Sequence, residues 1–307
     1  MNSKDRLLTI CIPTYNRKDF LENQLNFFQK QIEQNKQILD TVSFIVSNNS
    51  STDGTLLMLN TWVKHLKYFE HYTNELNVGL VGNIKASLDR ATTKYVWFVS
   101  DDDQLKDGII EKVLYALSNF NPEYLFLNYF VSKEQIKTGY SETSGYILNA
   151  KSTALEIFNE SYGSLVFMTS CIYKRANILE LNNNIMSTWI SSPLLYSFYS
   201  CSKGPMYIMG EPLVTFNPGN ASYAGIKRVL KIKFEEYIKI LERLVEFGYN
   251  RNEVYRTIKT FFKKQSHSHF LYNFVNIRKS IKYYKYYNFS TFLFFPVNTI
   301  KYLFTRR

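Results

Sequence analysis

Three consecutive carboxylates, Asp101-Asp102-Asp103, follow an apolar run, Tyr95–Val99, and Ser100. Adjacent carboxylates repel one another unless a cation or hydrogen-bond donors compensate. Hard divalent ions such as Mg2+ and Mn2+ prefer oxygen ligands and are shared between one or two carboxylates and a substrate's phosphates. Such an ion neutralises the charge that develops on a diphosphate leaving group. The blander reading is a solvated acidic loop at the start of the next helix, where Asp is common. Three further polar segments follow apolar runs: Pro13-Thr14-Tyr15-Asn16-Arg17, the stretch SNNSSTDG at 47–54, and Asn77-Val78-Gly79 with Asn83.

The surrounding pattern says what positions these segments. Leu7–Ile12 is apolar and ends at Pro13, as a buried strand does. Over 18–34, Phe20, Leu21, Leu25, Phe28 and Ile32 recur at helical spacing. Val42–Val46 reads as a second strand, followed by a helix with Leu56, Leu57, Leu59 and Val63, capped by Thr52 or Asp53. A third strand falls near Tyr68–Thr73, a helix near Val81–Ala91, and YVWFV is a fourth strand. Beyond lie a helix at 107–120, a strand at Tyr124–Val131, a polar hairpin at 132–150 and a short helix at Thr153–Phe158. A strand at Val166–Tyr173, a helix at Trp189–Tyr199 begun near Ser187 or Thr188, and an extended Met206–Phe216 follow. This alternation predicts an α/β fold, a mainly parallel sheet with helices on both faces. Ligands of such folds bind beyond the carboxyl ends of the strands. Loops 13–17, 47–54 and 100–104 therefore share one edge and one cleft.

Taken together, Ile12-Pro13-Thr14-Tyr15-Asn16-Arg17, Ser51-Thr52-Asp53-Gly54-Thr55, Asn77-Val78-Gly79 with Asn83, and FVSDDDQL resemble the family 2 glycosyltransferases of the Rossmann-like GT-A fold. The blocks occur in that family's order and rough spacing, over residues 7–220. The resemblance is greatest to bacterial enzymes of surface polysaccharides such as capsule, O-antigen and teichoic acid glycans. It implies a nucleotide-diphosphate sugar donor, Mn2+ or Mg2+, and inversion at the anomeric carbon. By the same resemblance Pro13, Thr14, Tyr15, Asn16 and Arg17 lie along the nucleotide, with the Tyr15 ring as a stacking face. Asn48 and Asn49 stand where the family often has an acidic residue facing the base. An amide both donates and accepts, so uridine is the default while cytidine and thymidine stay open. Asn77, Gly79 and Asn83 lie near the diphosphate or sugar. Ser100, Asp101 and Asp102 stand at the family's Asp-x-Asp motif, with Ser100 in place of the first Asp. Asp102 is then the metal ligand, Asp101 faces the ribose or sugar, and Asp103 supports the site.

Inverting members place an Asp or Glu in the second half as general base. No Asp follows Asp107, and residues 188–201 contain no Asp, Glu or His. Glu160, beside a Tyr-Gly-Ser loop, is the first candidate, with Glu211 behind it. Both also read as ordinary surface glutamates. A catalytically degenerate domain that binds a nucleotide sugar or glycan as an assembly partner is the alternative function.

The 307 residues are 45% hydrophobic and 17% aromatic, with a formal net charge of +11. Residues 226–307 carry 18 Lys and Arg against 5 Glu, a net of +13, and the rest carries −2. The boundary falls near 220–226, giving a donor domain at 1–225 and a basic, aromatic-rich helical region at 226–307. From 254 onward there are 11 Lys and Arg, 16 Phe and Tyr, and no acid. Phe289–Phe304 is shorter than a bilayer span and is interrupted by Pro296. An anionic membrane surface is the favoured partner, which makes the protein cytoplasmic and peripheral on the inner face of the plasma membrane. Packing as a subdomain or homo-oligomer interface is the second reading, and nucleic acid is the least favoured. The acceptor expected from such a setting is a glycan on a polyprenyl lipid. Cys11, Cys171 and Cys201 have no metal-like spacing and read as reduced thiols. His267 and His269 read as surface or groove residues.

Overall fold

The structure, a computed structural model, describes residues 6–65, 69–131, 140, 144–181, 184–216 and 225–265. The chain opens with β1 (Leu8–Thr14), α1 (Lys18–Gln34), the single turn α2 (Ile38–Thr41), β2 (Val42–Asn48), α3 (Thr55–His65), β3 (Phe69–Thr73), α4 (Gly79–Arg90) and β4 (Tyr95–Phe98). These strands pair in parallel in the order β3-β2-β1-β4. Side chains alternate across a strand. Phe44 of β2 packs its ring 5.3 Å from Phe28 of α1. Ser47, odd where Phe44 is even, donates its hydroxyl to Asn83 of α4 at 2.7 Å. Helices α1 and α4 therefore cover opposite faces.

The second half adds β5 (Gln104–Leu105), α5 (Ile109–Phe120), β6 (Tyr124–Val131), β7 (Gly145–Ile147), α6 (Ala150–Glu160), β8 (Cys171–Lys174), α7 (Arg175–Leu179), α8 (Ser192–Lys203) and β9 (Met206–Phe216). The described strands form one sheet, continuing β4-β8-β6-β9-β5, with β7 also on β9. Strand β8 is antiparallel to both β4 and β6, while β6 and β9 are parallel. Thus β1, β2, β3, β4, β6 and β9 all run one way, and the mainly parallel expectation holds. The strand expected over Val166–Tyr173 starts only at Cys171, because Met168–Ser170 form a 3-10 turn. The helix expected from Ser187 or Thr188 starts at Ser192, with Pro193 in its first turn and a 3-10 turn at Ile185–Thr188 before it. Most of the hairpin expected at 132–150 lies outside the described residues.

The last described elements are α9 (Ile226–Lys231), a π turn at Ile232–Glu236, α10 (Tyr237–Arg243), a 3-10 turn at Leu244–Phe247 and α11 (Arg251–Lys264). Asn250 caps α11 by accepting from the amides of Asn252 and Glu253. These helices join the main core through rings. Phe158 of α6 lies 5.9 Å from Phe198 of α8, 6.1 Å from Tyr237 of α10 and 5.5 Å from Phe261 of α11. Much of the aromatic excess is thus packing. Residues 220–224 of the linker expected at 220–226 lie outside the described residues. The tail from 266 onward, with His267 and His269, also lies outside them.

Candidate active site

The polar segments converge at the carboxyl edge of β1, β2, β3 and β4. Asn16, just beyond β1, adopts a left-handed backbone (φ 51), which Asn tolerates. Its amide donates to Ser51 Oγ at 2.9 Å, and its side-chain oxygen accepts from the Thr52 amide at 2.7 Å. Asp53 accepts from the Lys18 amide at 3.0 Å and the Thr55 amide at 3.1 Å, so one carboxylate caps both α1 and α3. Burial raises its pKa, but the hydrogen bonds from Thr55 and Lys18 prevail and hold it below the usual carboxylate value.

Asparagines lock the next loops. Asn49 donates to Asn77 Oδ1 at 2.8 Å and accepts from Asn74 at 3.1 Å and from the Val78 amide at 3.0 Å. Asn83 donates to the Ser47 and Thr14 carbonyls at 2.8 and 3.3 Å. Asn48 accepts from the Ser51 amide at 3.1 Å and donates to Thr73 Oγ1 at 3.3 Å. Asn48, Asn49 and Asn83 are buried. Their amides hold the cleft's loops together. Gly79 opens α4 with φ 75, a backbone that L side chains resist.

The aspartates end on this frame. Asp101 is buried and accepts from Thr14 Oγ1 and Arg17 Nη1, both at 2.7 Å. Burial pushes its carboxyl up to about 6, against the pull of Arg17 and Thr14. Asp102 is only partly buried, and accepts from Arg17 Nη2 at 2.8 Å and from Ser100 Oγ. One guanidinium thus forks across both carboxylates. Burial lowers the Arg17 pKa, but the two aspartates prevail and raise it. Asp103 is buried and accepts from Thr169 Oγ1. Thr169 also accepts from the Ser100 amide at 3.1 Å, and its carbonyl receives the Trp97 indole N–H at 2.8 Å. Pro13 is buried under the cleft, while Tyr15 is 42% exposed at its lip. Among the described residues no cluster of three or more His, Cys, Asp or Glu is arranged to hold a metal. Asp102, the least buried of the three carboxylates, would hold an ion that takes its other ligands from a diphosphate and water.

The sequence profile of glycosyl transferase family 2 matches residues 9–180, more than half of the chain, and takes in all four motif blocks. The chain belongs to glycosyl transferase family 2. This glycosyltransferase is 38% identical over 105 residues to abequosyltransferase RfbV of Salmonella typhimurium, covering 34% of this chain but only 30% of that one. It is 24% identical to the GalNAc(5)-diNAcBac-PP-undecaprenol beta-1,3-glucosyltransferase of Campylobacter jejuni, over 83% of this chain and 80% of that one. Its fold matches S. aureus TarS with a TM-score of 0.64 at 13% identity, over 84% of this chain and 43% of that one. It also matches mannosyltransferase PcManGT from Pyrobaculum calidifontis, solved with GDP-Man and Mn2+, with a TM-score of 0.57 at 12% identity, over 99% and 83%. The GT-A expectation holds.

In this glycosyltransferase the fold brings Thr14, Arg17, Ser100, Asp101, Asp102 and Asp103 into one bonded group, and Asn16, Asn49, Asn77 and Asn83 into the loops beside it. Glu160 is not part of this bonded group and is exposed at the end of α6. Its charge reaches Tyr140, whose hydroxyl pKa is raised by burial first, then by Glu160 and Glu156. Glu211 pairs with Lys112. Thr169 is the member that the sequence did not reveal; no motif marks it.

Proposed function

We propose that this glycosyltransferase moves a sugar from a nucleotide-diphosphate donor, UDP-sugar in the first instance, to a glycan in bacterial surface-polysaccharide biosynthesis. The observation that carries the reading is the Arg17 fork on Asp101 and Asp102, on the same loop as the exposed Tyr15. Tyr15 offers its face to the base. Asp101, buried between Thr14 and Arg17, anchors the donor loop to β4. Asp102 would hold Mg2+ or Mn2+. When bound, that ion neutralises the charge on the departing diphosphate. Asp103, tied to Thr169, sets the loop that carries Asp102. Glu160 is the proposed proton acceptor from the incoming hydroxyl, with inversion at the anomeric carbon.

A lipid-linked acceptor on the inner face of the plasma membrane fits the described C-terminal helices. Lys227, Arg228 and Lys231 of α9 and Arg251, Arg256, Lys263 and Lys264 of α11 are all exposed. Such exposed basic side chains are attracted to anionic lipids. Among the described residues no helix is long and apolar enough to cross a membrane. The relative from Campylobacter jejuni is itself named for a glycan on undecaprenol diphosphate.

A thermal-shift panel of UDP-, CDP-, GDP- and dTDP-sugars, each with Mn2+ and with chelator, tests the reading. A ligand of the folded state raises the melting temperature by mass action. A metal-dependent rise for one base is expected. No rise with any donor, in a protein that melts cooperatively, would overturn the donor cleft in favour of a glycan-binding assembly partner.

A further inference from the structure

We propose that a groove between α5 and an interrupted edge of β9 is a second carbohydrate site, which holds a neutral sugar of a glycan chain. The proposal rests on the reading of this protein as a transferase that acts on glycans. Strand β7 covers β9 at Met206–Ile208, and β5 covers it at Val214–Thr215. Between them the register against β6 jumps from Leu127 opposite Met209 to Tyr129 opposite Val214. The extra residues of β9 leave the ladder there and carry Glu211 out to Lys112 of α5. Bulges of this kind re-aim side chains beside sites. Glu111, Lys112, Tyr115, Tyr207, Met209 and Glu211 line a groove of about 350 Å3. That volume lies within the range of about 300–1,000 Å3 for small-molecule sites.

Tyr115 and Tyr207, which line the groove, belong to an aromatic shelf that runs on beside it. Phe120 packs 4.7 Å from Tyr207, 5.9 Å from a stacked Tyr146 and 6.3 Å from Tyr115. Tyr115 is 63% exposed and Tyr146 41%. Grouped exposed aromatics mark a binding surface rather than scattered apolar exposure. A pyranose ring presents an apolar C–H face to stack on such rings and a rim of hydroxyls that need partners. The groove supplies an acceptor in Glu211, half exposed beside Lys112. Two glutamates against one lysine disfavour phosphate, nucleotide and acidic sugars. The ligand class that matches is a neutral sugar.

The groove is not the donor cleft. Tyr207 pairs with Leu125, near the start of β9 and β6. The aspartates follow the far end of β4, which runs the same way. A glycan held here is tethered while its end is elongated elsewhere, which raises the end's effective concentration.

Titration of the full-length protein with maltohexaose, laminarihexaose and chitohexaose, read by calorimetry and saturation-transfer NMR, tests the inference. At least one is expected to bind. Tyr115→Ala should weaken that binding about tenfold or more, the scale of losing an aromatic anchor. Tyr115→Phe should retain it at an unchanged melting temperature. The donor thermal shift should be the same in both variants. Binding of none of the sugars, or binding unaltered in Tyr115→Ala, overturns the proposal. So does binding of tetramethylammonium in place of every sugar, which would make the groove a cation cage. Loss of the donor shift in the wild type would instead overturn the donor cleft and leaves the sugar titration to decide the groove.

Discussion

Arg17 is the residue on which the cleft turns. Its guanidinium meets Asp101 and Asp102 in a fork that a lysine does not reproduce. Arg17→Ala leaves the buried Asp101 without its cation, so it is expected to destabilise the fold by about 3 kcal/mol or more. It should also weaken donor binding, as read by calorimetry beside the melt. Thr169→Val keeps shape but removes the donor to Asp103 and the acceptor for the Ser100 amide. Turnover should fall about tenfold, or about 1.4 kcal/mol, with the donor KM little changed. Glu160→Gln separates a proton acceptor from a surface residue: kcat should drop while donor binding holds, and an unchanged kcat removes Glu160 from the mechanism. At this scale the sequence was legible wherever chemistry lay in contiguous motifs. Asp101, Asp102 and Arg17 stand in blocks that resemble the family's motifs, while nothing in the sequence shows the fork that joins them. Thr169 could not, because it reaches Ser100 across 69 positions. The assignment of Asn48 and Asn49 to the base came without sight of their partners, which are the neighbouring loops.

The elements carry the cleft through shared caps and rings. Asp53 holds the starts of α1 and α3 together, so Asp53→Ala should lower stability by about 1 kcal/mol, the usual value of a lost cap. The folded-state pKa of Asp53 is depressed, so its contribution is complete above the ordinary value of 3.8 and fades as pH falls through the folded value. Melts of wild type and variant should therefore differ at neutral pH and converge in acid below 3.8. Phe158 ties α6 to α8, α10 and α11, and Phe158→Ala is expected to cost about 3–5 kcal/mol. Period alone set α1, α5 and β6 close to their observed limits. It failed at 166–173, where hydrogen bonds of Thr169 to Asp103, Ser100 and Trp97 impose a 3-10 turn on a β-branched, apolar stretch. Two-residue β5 is set by pairing with β9, which no local pattern encodes.

At the scale of the whole molecule, charge divides the chain into a nearly neutral first part and a last part of net +13. Binding to vesicles containing anionic lipid should be tight at low salt and fall as ionic strength rises, since screening shortens the Debye length to about 8 Å at 0.15 M. Equal binding to neutral vesicles would remove the electrostatic account. The order of strands and loops was legible because α/β alternation fixes which loops share an edge. The tight packing of α10 and α11 onto α6 was not, since charge marks a boundary without saying what lies against it. The central claim is that Asp102 holds the metal that serves the donor diphosphate. Its most direct test is turnover of the donor selected by thermal shift, in Mn2+, by wild type and Asp102→Ala of equal melting behaviour. The account predicts a loss of about a hundredfold or more, with metal-dependent donor binding gone. Wild-type turnover by Asp102→Ala would contradict it.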